Sequence, residues 1–247
     1  MTQKLEDLHS GCGCSRRGFL RGAAAFGLAT LAAGPAFAEK CTVFDPVRQQ
    51  ALSPDEAIER LKAGNARLLA GETINCDLLA QIKATATGQS PFASIVSCID
   101  SRVPPELIFD QRIGDVFAAR IAGNFVNTDI IGSLEFTTKL VGARAIVVLG
   151  HTSCGAVRGA ISNAQLGNLT ATLANIEPAV VTTPGFEGQR TETNEAFVQA
   201  VADQNAKLAA EMILERSHVI RELVDAGEVK VVAAMHDVAT GKVTFFE

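Results

Sequence analysis

A thiol, a carboxylate and a guanidinium alternate along Cys98-Ile99-Asp100-Ser101-Arg102, and farther on an imidazole and a second thiol stand three residues apart in His151-Thr152-Ser153-Cys154-Gly155. Two thiolates and one imidazole make a Cys2His donor set. Three protein ligands leave the fourth corner of a zinc tetrahedron open, which is the pattern of catalytic rather than structural zinc. Asp100 and Arg102 suit a second task, because a forked guanidinium keeps a carboxylate ionised and fixed in direction. Such a carboxylate can accept a hydrogen bond from an attacking hydroxide and steer its lone pair. Were Asp100 to ligate the metal itself, the site would be closed by four protein ligands. Taken singly, each residue has a plainer use: Cys98 and Cys154 as buried thiols, His151 as a core histidine, Asp100 and Arg102 as a surface ion pair worth about 0–1 kcal/mol. Taken jointly, with both halves following apolar runs, they point to a metal. Thiol redox chemistry is disfavoured, since neither cysteine has a C-x-x-C partner.

These groups can meet only if strands bring them to one edge. Non-alternating apolar runs at FASIVS (92–97), VFAARI (116–121), AIVVLG (145–150) and VKVVAAM (229–235) read as strands buried on both faces. Helix-length segments lie between them at 127–142, 154–167 and 193–226, and the stretch 177–192 reads as a surface loop. Upstream, Ser53 as N-cap, Pro54 at the first position and Glu56 completing a capping box start a helix whose Ile58, Leu61, Leu68 and Leu69 share a face and which Gly71 stops. After a turn at Thr240-Gly241, the tail GKVTFFE reads as a short antiparallel strand. The alternation predicts an α/β fold with a central, mostly parallel sheet. About four parallel strands plus a C-terminal antiparallel edge strand are flanked by helices, with an N-terminal helical arm. In open parallel sheets ligands bind at the carboxyl ends of strands. Cys98, Asp100 and Arg102 follow the first strand, and His151 and Cys154 follow the third.

Of 247 residues, 47% are hydrophobic and 20% charged, enough for one well-packed domain; a formal charge of -5 without basic runs excludes nucleic acid as a natural partner. The first residues differ from the rest. Ser15-Arg16-Arg17-Gly18-Phe19-Leu20 precedes a weakly apolar run ending in Ala36-Phe37-Ala38, the pattern of a twin-arginine export signal cleaved after Ala38. The run is too short, and broken by Gly34-Pro35, to serve as a membrane anchor. Residues 1–38 are therefore expected to be the signal and 39–247 the mature, soluble chain, exported to the periplasm or beyond the cell by the twin-arginine machinery. That route carries folded proteins, which favours a preloaded metal. Cys41 and Cys76 could pair in an oxidising compartment or stay free.

The paired signatures resemble those of the β-class carbonic anhydrases. The resemblance covers essentially the whole mature chain: LKAGNARLLAG (61–71), GQSPFASIVSCIDSRVPPELIFD (88–110), IGDVFAARIAGN (113–124), GSLEF (132–136), VVLGHTSCGAV (147–157) and HDVATGKV (236–243) fall in family order. It implies reversible hydration of carbon dioxide to bicarbonate and a proton. One Zn2+ per chain would sit on Cys98, His151 and Cys154, with the Asp100–Arg102 pair beside it. It also implies a homodimer or tetramer in which Gln89 is lent to the neighbouring subunit's substrate pocket, Phe117 lines the apolar side and Gly155 offers a backbone amide. Hydrolysis of carbonyl sulfide or carbon disulfide on the same site, or a zinc-bearing inactive scaffold, are the alternatives. With 0 Trp and 0 Tyr, the chain lacks the pair that bicarbonate-regulated members use in a separate anion site. His236 stands where a Tyr is frequent, and Arg120-Ile121 where the family has Arg-Asn.

Overall fold

The computed structural model describes residues 41–246; the expected signal segment and its cleavage point at Ala38 lie outside the described residues. Five strands form one sheet: β1 (Ala93–Ser97), β2 (Val116–Arg120), β3 (Ala145–His151), β4 (Lys230–His236) and β5 (Val243–Phe245). Their order is β2-β1-β3-β4-β5, parallel throughout except that β5 runs antiparallel to β4. Successive residues of a strand face opposite sides, and here both sides are covered. Ile95, Val147 and Leu149 pack with Phe44, Ile58, Leu61 and Phe109 on one face. On the other, Val96, Ile146 and Val148 pack with Ile131, Leu134, Ala206 and Ile213.

The expectation of two-sided burial holds for β1 and β3, whose residues are all buried, and for the second half of β4. It fails for β2. That strand is an outer edge, and its Ala118 and Arg120 are exposed.

Ten helices are described around the sheet. In the N-terminal arm, α1 (Pro46–Ala51) precedes α2 (Pro54–Ala70), which has the expected capping box and ends on Gly71 in the left-handed region (φ 71°). Its buried face differs from the expected one: Ala57, Ile58, Leu61, Gly64 and Asn65 are buried, whereas Leu69 is 48% exposed. The reason lies at Gly64, where a Cβ would stand 1.8 Å from the Phe109 carbonyl oxygen. Only glycine permits that approach. The neighbouring Asn65 then donates to the Ile108 and Gly241 carbonyls and accepts from the Val243 amide, fastening α2 to the β4–β5 turn.

Next come α3 (Leu78–Thr85), α4 (Pro105–Ile108) and α5 (Thr128–Glu135), the last continuing into a π-helical turn, Phe136–Leu140. The segment expected to be one helix over 154–167 ends sooner, as α6 (Gly155–Ile161), followed by α7 (Gly167–Ala174). The stretch expected as a loop over 177–192 begins with α8 (Glu177–Thr182), tied down by Ala179, which is buried beside Ile176 and Leu173. The long helix expected over 193–226 is two, α9 (Glu195–Arg216) and α10 (His218–Asp225). Ser217 separates them by accepting the Ile220 amide as N-cap and donating to Glu135. Cys41 and Cys76 form a disulfide joining the start of the arm to the loop before α3. Among the described residues, no helix is long and apolar enough to cross a membrane.

Candidate metal centre

Since β1 and β3 are hydrogen-bonded neighbours, their carboxyl ends lie side by side. Cys98 is the first residue after β1, His151 the last of β3, and Cys154 the N-cap of α6. Their donor atoms all lie within 4.8 Å of one another, and all three residues are buried. A carbonyl can only accept, so the 2.9 Å contact between His151 Nδ1 and the Thr152 oxygen fixes the proton on Nδ1. In the neutral ring the lone pair is then on Nε2. It is buried and meets no hydrogen-bond partner, a rare condition for a polar atom and the one a metal would relieve.

The two sulfurs make the same demand. Cys154, donating to Cys98, holds the Cys98 thiol well below its ordinary value, helped by the Gly123 amide, which donates to Sγ at 3.3 Å. Cys98, together with burial, pushes Cys154 up. Both sulfurs can be thiolates at once only with a cation between them, and a soft divalent one suits sulfur and imidazole. The donor set therefore fits zinc.

Asp100 lies beside this cluster and outside it. Its Oδ1 accepts the Arg102 amide and Nε, both at 2.9 Å, and its Oδ2 accepts Nη2 at 2.8 Å. The Arg102 guanidinium holds the carboxyl well below the usual carboxylate range. Oδ2 stands 4.0 Å from His151 Nε2. A carboxylate so engaged is an oriented acceptor at the rim of the metal position.

Two contributors were not legible as site residues. Arg120, at the end of β2, donates through Nε to the Cys98 carbonyl (2.9 Å) and through Nη2 to the Asp100 carbonyl (2.6 Å). Its signal was a charged residue closing an apolar strand. Gly123 has φ 83°, and a Cβ there would fall 2.3 Å from Ile176 Cδ1. Only glycine can bring its amide to the sulfur, and Asn205 fixes it by donating to its carbonyl (2.7 Å).

The remaining expected residues divide. Gly155 follows Cys154 directly as the first residue of α6 and is exposed, with open space where a Cβ would be. Gln89 and Phe117 are not brought to this chain's own centre. Gln89 precedes β1 and is exposed, whereas Cys98 follows the strand's other end. Phe117 sits on β2 opposite Ser94, lining a cavity of ≈ 800 Å³ with Ile130, Leu134 and Phe136. His236 pairs with His151 across β3 and β4; burial pushes it below its ordinary value.

A family model described as carbonic anhydrase matches residues 93–243, more than half of the chain. Carbonic anhydrase 2 of Mycobacterium tuberculosis is 31% identical over 196 residues, covering 77% of this chain and 91% of that protein. The carbonic anhydrase of Mycolicibacterium smegmatis is 32% identical over 197 residues, covering 77% and 92%. Among solved structures, the β-carbonic anhydrase CafA of Aspergillus fumigatus superposes with a TM-score of 0.60 at 24% identity, covering 78% of this chain and 90% of that one. A tetrameric β-carbonic anhydrase of Sordaria macrospora gives 0.58 at 23%, covering 78% and 97%. By sequence match, fold and donor set alike, the chain belongs to the β-class carbonic anhydrase family.

Proposed function

We propose that the protein catalyses reversible hydration of carbon dioxide to bicarbonate and a proton, with one zinc ion held by Cys98, His151 and Cys154. The observation that carries this reading is the convergence of those three donors beside a carboxylate that Arg102 keeps ionised and turned. When bound, zinc supplies the Lewis acidity that makes water a nucleophile near neutral pH. The protein's own groups direct the attack. Asp100 Oδ2 accepts a hydrogen bond from the attacking oxygen and points its remaining lone pair at the substrate carbon. Arg102 keeps Asp100 an acceptor at every working pH, since a protonated Asp100 would donate instead. The Gly155 amide, next to Cys154, is the donor offered to the substrate oxygen.

Gln89, exposed before β1, and Phe117, half-buried on the outer strand β2, are proposed to complete the pocket of a neighbouring subunit in a dimer or tetramer; that a structural neighbour is tetrameric supports this. Residues 1–38 are proposed as a twin-arginine signal and 39–247 as the exported catalytic domain, periplasmic or extracellular. The Arg16-Arg17 pair supports export, as does the Cys41–Cys76 disulfide, a bond that persists in oxidising compartments.

The test is stopped-flow hydration of carbon dioxide by residues 39–247, with zinc content measured on the same sample and Arg102→Ala beside it. The wild type should hold one zinc per chain and turn over, while the variant keeps zinc and loses roughly a hundredfold in kcat, as misplacement of one catalytic group does. A zinc-loaded wild type that hydrates carbonyl sulfide or carbon disulfide but not carbon dioxide would replace this reading.

A further inference from the structure

The turn that carries Cys98 and Asp100 is fastened to the sheet by a side chain from another strand. Arg120 stands opposite Ser97 in the β1–β2 register, and its guanidinium spans the turn that leaves β1, reaching the Cys98 and Asp100 carbonyls together. Three residues on, the Gly123 amide reaches the Cys98 sulfur. Cys98 is thus gripped at its carbonyl by the last residue of β2 and at its sulfur by the segment that follows. Asp100 has a different support. Its carboxylate is held by Arg102, which belongs to the same turn and moves with it. That pair sets the direction of the carboxylate within the turn but cannot place the turn against His151 and Cys154, which come from β3 and α6.

We infer that Arg120 is a positioning residue: its two hydrogen bonds to the Cys98 and Asp100 carbonyls set where the Asp100 carboxylate stands relative to the three metal donors. The role needs the fork, not merely the charge. Two acceptors on alternate residues are met by donors at fixed separation on a planar guanidinium, which an ammonium on a flexible stem does not reproduce. The inference rests on the proposed reaction, and its test separates the two.

Zinc-loaded wild type, Arg120→Lys and Arg120→Gln are compared in stopped-flow hydration, with metal content and thermal midpoint measured on the same samples. The three proteins are also loaded with cobalt(II), whose visible absorption reports the ligand field without turnover. Both variants should keep one metal per chain and a midpoint within a few degrees of wild type. In both, kcat should fall roughly tenfold to a hundredfold with KM changed less than about threefold, since misplacement by about 1 Å costs on that scale. The cobalt spectra of both should depart from wild type. Full kcat in Arg120→Lys would reduce the role to charge and overturn the inference, as would a rate loss matched by loss of metal or by a collapsed midpoint. If the wild type itself fails to hydrate carbon dioxide, the proposed reaction falls. The spectra then decide alone: unchanged spectra in both variants overturn the positioning role, and altered ones sustain it.

Discussion

Asp100 and Asp203 are the same chemical group in opposite circumstances, and their neighbours decide what each does. Arg102 pulls the Asp100 carboxyl down. Burial on α9 pushes the Asp203 carboxyl up, against a hydrogen bond from Gln199 and the charge of Lys207. For Asp100, the folded value lies below the unfolded one. Its contribution to stability is therefore complete above the ordinary 3.8 and is lost only as pH falls through the depressed value. Across neutral pH it is constant, as a permanent acceptor must be. For Asp203, the folded state binds the proton more tightly, so its charge costs stability once pH rises past the ordinary value and through the raised one. Asp203→Asn should accordingly stabilise the protein at neutral pH, by no more than about 1 kcal/mol given its partial exposure. The gain should vanish in acid below 3.8. Urea unfolding of both proteins at neutral and at acid pH checks this; an equal gain at both would mean that the charge was not the cause.

At the scale of elements, the arm is held by chemistry of two kinds. α2 is fixed by its caps, by Leu61 and by Asn65, whereas α3 buries only Gln81 of its eight residues and exposes Leu78, Leu79 and Ile82. The loop before α3 depends on Ile74, whose amide donates to Asp110, and on the Cys41–Cys76 bridge. The two cysteines are 35 residues apart. Closing a loop of that length restrains the unfolded chain by about 4 kcal/mol, so Cys41→Ser with Cys76→Ser should lower the thermal midpoint by about 10 °C. A calorimetric midpoint unchanged in the double variant would count against this account of the bridge. The same elements show what a sequence can and cannot tell. The capping box at Ser53 and Glu56, the buried runs of β1 and β3 and the Asp100–Arg102 pair are local patterns, each complete within a few residues. Leu69 was misplaced because the face of α2 is set by the Phe109 carbonyl, 45 residues from Gly64 in the chain. The site roles of Arg120 and Gly123 were not legible for the same reason, since their partners lie 22 and 25 residues away. Ser217 broke the long helix because its side chain serves α10 and Glu135 at once, a conflict that periodicity does not register.

For the whole molecule, the placement of Gln89 decides what the functional unit is. It precedes β1 and Cys98 follows it, so no movement short of unfolding the strand brings Gln89 to its own centre. If it serves the reaction, it does so across an interface, and the outer strand β2, with Ala118 exposed and Phe117 beside the exposed Phe136, offers an uncovered apolar surface nearby. Cyclic symmetry then makes a sharp prediction. Gln89→Ala and Arg102→Ala should each be slow as homodimers, because every pocket lacks one group. Co-expressed under two tags and isolated as mixed dimers, they should recover. One pocket then combines an intact Asp100–Arg102 pair with the other subunit's Gln89, while the second pocket lacks both. The mixed dimer should reach about half the wild-type rate, and an unsorted equal mixture about a quarter. A mixed dimer no faster than the mean of its parents would place Gln89 outside the reaction and make each subunit a complete enzyme.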